Sequence, residues 1–117
     1  MTYVDGFVAA VKTTDKETYV AHCRQMGSLF KEYGASEVVD TWGDDVPEGK
    51  LTSFPMAVKR EDGETVVLGW VTWPSKAVRD EAWKKVMEDP RMKPGATPIP
   101  FDGKRMIYGG FELISKA

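Results

Sequence analysis

The run Val66-Val67-Leu68-Gly69-Trp70-Val71 limits the folds open to this chain more than any other stretch. It is rich in β-branched and aromatic residues and apolar on both alternation phases, so it reads as a strand. A strand with two apolar faces must be covered on both and belongs in the middle of a sheet. Residues 3–11 have the same character, with Ala, Val, Phe and Tyr on both phases. Residues 104–114 read as a last strand, also apolar on both phases. It carries Gly109-Gly110, and paired glycines inside a strand signal a bulge or a close approach by another backbone or a ligand.

Two helices separate these strands. Thr14-Asp15-Lys16-Glu17 has the spacing of a capping box and predicts a helix that runs to Gly34. Its inward stripe is Tyr19, Val20, Cys23, Met26, Gly27, Phe30 and Tyr33. Pro74-Ser75 starts the second helix, which runs to about Asp89 with Val78, Ala82 and Val86 inward and Trp83 and Met87 on one flank. Residues 36–42 form a strand between the first helix and a central loop, 43–55. Residues 56–60 and 65–73 are expected to pair as a hairpin around Asp62-Gly63. A segment with four prolines, 89–103, reads as an arm or lid.

The order strand, helix, strand, strand pair, helix, strand predicts an α+β fold: a ferredoxin-like βαββαβ with an extra hairpin. Its antiparallel sheet carries both helices on one face. The helices leave the other face bare, yet the first, fourth and last strands are apolar on that side too. A second copy packed sheet to sheet would cover it, so a homodimer is expected.

At 117 residues the chain is expected to be a single domain, 1–117, with a core that needs no disulfide. Cys23 is the sole cysteine and falls on the inward stripe, which favours a buried, inert thiol and a reducing, cytoplasmic location. The first residues lack the basic and apolar pattern of a signal peptide. No apolar run is long enough to span a membrane. Sixteen basic against eighteen acidic residues, a net charge of -2, give no footprint for a nucleic acid or an anionic membrane.

Longer motifs carry a resemblance. Gly43-Asp44-Asp45-Val46-Pro47-Glu48-Gly49-Lys50-Leu51-Thr52-Ser53-Phe54-Pro55 is one, and Pro100-Phe101-Asp102-Gly103-Lys104-Arg105-Met106-Ile107-Tyr108-Gly109-Gly110-Phe111 is another. Tyr3-Val4-Asp5-Gly6-Phe7 and Asp89-Pro90-Arg91-Met92 accompany them. Together they closely resemble the bacterial YbaA-like family of unknown function, across essentially the whole chain. The resemblance implies a dimeric α/β barrel, a fold whose other members include cofactor-free monooxygenases, haem-degrading proteins and stress proteins. Fold alone does not choose among these activities.

Candidate site residues follow from chemistry. His22 is the only histidine, hence the one side chain whose ordinary pKa suits proton transfer near neutrality. Its helical phase puts it at the edge of the inward stripe, where it either lines a helix–sheet cavity or faces solvent. Asp44 beside Asp45 and Glu48 is a candidate acid–base group, or alternatively an Asx turn cap. Lys50 is a candidate anion-binding group or base, alternatively a solvated turn residue. Tyr108 is a further catalytic candidate. Trp42, Ser53, Trp70 and Arg105 are candidates for ligand binding, with core packing, turn capping, dimer contact and ion pairing as their structural alternatives. The spacings of a metal site, a phosphate loop or a nucleophile elbow do not occur in the sequence, so no cofactor is expected.

Two functions fit. One is small-molecule binding, or cofactor-independent catalysis by proton abstraction from an acidic substrate, in a cavity under the helices. The other is a non-catalytic stress or assembly protein acting through its dimer and its proline-rich arm.

Overall fold

The computed structural model describes residues 1–92 and 99–117. Its elements are β1 (Tyr3–Lys12), α1 (Lys16–Glu32), β2 (Glu37–Trp42), α2 (Phe54–Ala57), β3 (Glu64–Trp73), α3 (Lys76–Glu88) and β4 (Ile107–Glu112). The strands form one antiparallel sheet in the order β2-β3-β1-β4. Each long helix connects two strands that flank a third, so two β-α-β units interlock. The architecture is α+β and ferredoxin-like. β1 and β3, two of the three strands read as two-faced, lie at the centre, while the third, β4, is a short edge strand whose apolar residues stay largely exposed.

Local chemistry sets the start of α3 and the end of α1. Ser75 Oγ accepts from the Val78 amide at 3.2 Å and caps α3. At the end of α1, Gly34 takes φ +113°. The Ala35 amide then donates to Phe30 O and the Gly34 amide to Lys31 O, the two bonds of a Schellman motif. The capping box expected at the start of α1 does not form. Residues Thr13–Asp15 make a 3-10 turn, and the helix starts at Lys16 without a side-chain cap.

The expected extra hairpin is absent. Residues 56–60 are not a strand: Ser53 Oγ accepts from the Met56 amide at 3.1 Å and Pro55 occupies the first turn, so the chain there coils into α2. Asp62-Gly63 still turns the chain, with Gly63 at φ +83°, but it leads from a helical segment into β3.

Register fixes two faces. Residues Val71 and Trp73 of β3 pack beneath Leu29 and Phe30 of α1 and Ala82 and Val86 of α3. Ala9 and Val11 of β1 and Val67 of β3 pack under Tyr19. Leu29, buried in that core, fell outside the predicted stripe. Val20 and Val78, expected inward, are both about one-third exposed at 36%. On the other face Val58, just after α2, covers Val8, Ala10 and Val66. The rest of that face stays open: Leu68 is 39%, Ile107 43% and Phe111 61% exposed. No helix among the described residues is long and apolar enough to cross a membrane.

Candidate functional site

The helix-facing side of the sheet contains a cavity of about 1070 Å³, within the size range of small-molecule sites. Its floor is set by register. Asp40, Gly69, Phe7 and Tyr108 lie in one cross-strand row, and Val38, Val71, Asp5 and Gly110 in the next. Gly69 lets the floor lie flat, because a Cβ there would stand 2.5 Å from the Phe7 ring and 2.9 Å from Asp40 Oδ1. The α1 residues His22, Cys23 and Met26 form the roof, and Phe101 and Met106, before β4, form a side wall.

His22 is the polar feature of the roof. Its ring stacks with Tyr19 at 6.4 Å and meets the edge of Phe101 at 6.0 Å. Nδ1 is buried and has no hydrogen-bond partner among the described residues. Burial among these rings lowers its pKa, so at neutral pH the imidazole is uncharged and can accept a proton. A buried ring nitrogen left without a partner is costly; with Nδ1 enclosed, the His22 ring meets the cavity through its other atoms.

Beside it Tyr19, Cys23 and Asp40 lie close enough to shift one another's titration. Burial holds the Tyr19 hydroxyl far above its usual range. Burial also pushes the Cys23 thiol up to about 11, with the nearby Asp40 charge adding to the shift, so Cys23 is protonated and a poor nucleophile. Partial burial raises Asp40, with the Cys23 hydrogen bond working against the rise.

At the far end Asp5 is held by three side chains. Arg79 donates from Nε and NH2, the shortest bond being 2.6 Å, while Trp73 Nε1 donates at 2.9 Å and Trp83 Nε1 at 3.0 Å. Arg91 is bound by Asp89 and Glu32.

The structure brings together only part of the predicted set. His22 lines the cavity, and Tyr108, 78% exposed, stands at its rim. Trp42 lies next door, against Tyr19 at 6.1 Å, lining a groove between α1 and β2. The others lie elsewhere. Asp44 and Lys50 are exposed in the loop before α2. Ser53 caps α2. Trp70 is on the opposite sheet face, donating to Glu37 at 3.3 Å. Arg105 grips Glu64 and the Lys59 carbonyl. Asp5 and Asp40 were not singled out in the sequence, although each interrupts an inward apolar phase: Asp5 with Phe7 and Ala9, Asp40 with Val38 and Trp42. That interruption was the available signal. Among the described residues no cluster of three or more His, Cys, Asp or Glu side chains is placed to hold a metal ion.

A family model described as a protein of unknown function (DUF1428) matches residues 2–103. The chain belongs to this family. It is 55% identical over 114 residues to the uncharacterized protein YbaA of Escherichia coli K12, covering 97% of each chain, and equally so to YbaA of Shigella flexneri. Among solved structures, a dimeric ferredoxin-like protein from an uncultured marine organism superposes with a TM-score of 0.61 over 100% of both chains, at 10% identity. SnoaB, a cofactor-independent oxygenase from Streptomyces nogalater, superposes with a TM-score of 0.55 at 11% identity, covering 98% of this chain and 95% of that one. At such identities the likeness is one of fold.

Proposed function

We propose that this protein of the DUF1428 family binds a small, largely apolar molecule in the helix–sheet cavity, and that His22 accepts a proton from it. The observation that carries this reading is the place of His22, a neutral imidazole in the roof of an aromatic cavity of ligand size. Tyr108 at the rim is a second group able to exchange a hydrogen bond or proton with the molecule. The chemistry is proton abstraction from an acidic C–H or O–H, and the enzyme or binder works in the cytoplasm as a homodimer. The second copy covers the open sheet face, where Leu68, Ile107 and Phe111 present apolar surface. That SnoaB is a cofactor-independent oxygenase and that the marine neighbour is dimeric are in keeping with both halves of the proposal.

A metabolite panel read by thermal shift tests it. A compound that binds only the folded protein adds about 3 kcal/mol at a concentration ~100 times its Kd. The expected result is a compound that raises the melting temperature of wild type and of Lys50→Ala, which lies outside the cavity, and loses most of that effect in His22→Ala. Compounds that stabilise all three equally would overturn the role of His22, and a panel with no stabilising compound would count against the cavity as a site.

A further inference from the structure

The charges around the cavity are unevenly satisfied. Arg79 is bound by two carboxylates, Asp5 and Asp80, and Arg91 by two, Asp89 and Glu32. Neither guanidinium has charge to spare for an anionic ligand. Asp40 is the reverse case. It lines the cavity, yet among the described residues no ion pair joins it to a cation and its side chain is exposed, beside the neutral thiol of Cys23. Lys16, Arg24 and Lys31 share the α1–β2 groove with it, but Lys16 Nζ sits over the Trp42 ring at 5.4 Å, Lys31 donates to Ser36 O at 3.1 Å, and no ion pair joins Arg24 to Asp40.

Resting on the reading of the cavity as a small-molecule site, we propose that its ligand is an apolar ring compound bearing a protonated amine, that the ammonium pairs with Asp40, and that the matching carboxylate is rejected. The geometry suits such a molecule. Asp40 occupies one end of the row that runs through Gly69 and Phe7 to Tyr108. A ring lying along that row contacts Phe7 from the floor and Phe101 from the wall, its ammonium reaches Asp40, and His22 stands above it. Coulomb attraction favours the amine and repulsion disfavours the acid, so the two effects add in the discrimination.

The test uses two matched series: indole, tryptamine and indole-3-acetate, then naphthalene, 1-naphthylmethylamine and 1-naphthoate. Kd is measured by calorimetry on wild type and Asp40→Asn. Because Asp40 is exposed to solvent, the amine is expected to bind about tenfold tighter than the acid rather than by a larger factor. Asp40→Asn should bring the pair within about twofold and leave the neutral member unchanged. On wild type alone, raising salt should weaken the amine and not the neutral ring. Equal binding of acid and amine, or a preference that survives Asp40→Asn and high salt, overturns the charge assignment while binding of the neutral ring still upholds the cavity. If no member of either series binds, the cavity reading falls and this inference falls with it.

Discussion

Arg79 and Asp5, far apart in sequence, are joined by hydrogen bonds of 2.6 and 3.1 Å, and the same carboxylate accepts from the indoles of Trp73 and Trp83. One carboxylate thereby ties β1 to the end of β3 and to α3, beside fully buried Trp73. Asp5→Ala should leave two indole N–H groups unpaired and the guanidinium with Asp80 alone in a largely buried setting, a loss of about 3–5 kcal/mol. Asp5→Asn keeps one acceptor oxygen and should cost less. Urea unfolding measures both, with midpoints falling in the order wild type, Asn, Ala and with slopes unchanged.

A second ion pair makes stability depend on pH. Arg105 donates to Glu64 through two 2.8 Å bonds, which hold the Glu64 carboxyl at about 2 against an ordinary 4.5. The folded value is depressed, so this contribution is complete above the unfolded value and fades as pH falls through the window from about 4.5 to about 2. Glu64→Gln should flatten the acid limb of a melting-temperature profile in that window. At neutral pH it should cost about 1–3 kcal/mol, the range for hydrogen bonds to charged groups. An acid limb identical to wild type would show that other carboxylates govern it.

Two glycines should respond differently to the same added methyl. At Gly69 the clash is with the far edge of the Phe7 ring, which can rotate into the cavity beneath it. Gly69→Ala should therefore cost only about 1–2 kcal/mol while abolishing binding of indole. At Gly43 the Cβ would stand 2.5 Å from the Val66 carbonyl oxygen, to which the Gly43 amide already donates at 2.8 Å. Backbone there cannot give, so Gly43→Ala should cost about 3 kcal/mol and leave cavity binding intact in the folded fraction. Melting temperature and indole titration on the two variants separate the cases.

These contrasts show what the residues could convey in advance. Two of the three two-faced strands, β1 and β3, announced their central places because burial on both sides leaves a mark on both alternation phases; the third, β4, lies at the edge with the same composition. The helices were legible from their stripes, and α3 from Ser75. What misled was local: Ser53 followed by Pro55 is a helix start, but the Asp62-Gly63 turn drew residues 56–60 into an imagined hairpin. The charged loop at Asp44 and Lys50 attracted notice because it is polar, although polar loops are what solvent selects. Asp5 and Asp40 went unnoticed because their meaning depends on partners distant in sequence, Arg79 for one and, for the other, the lack of a paired cation among the described residues.

The open sheet face supplies the last prediction. Phe111 lies across Gly6 and Gly109, where an added Cβ would come within 3.7 and 3.4 Å of its ring. The two glycines thus make a shallow bed that keeps the ring flat on the sheet. Ile107 and Leu68 flank it through the row Ile107, Val8, Leu68. A flat apolar surface with an exposed ring at its edge suits a second sheet packed face to face. Sedimentation at micromolar concentration should give a dimer for wild type. Phe111→Glu places two like charges near the two-fold axis or its rim and should shift the chain to monomer, with circular dichroism unchanged because the side chain contributes little to the monomer core. A wild-type monomer, or a Phe111→Glu together with Leu68→Asp that remains dimeric, would place self-association elsewhere or remove it.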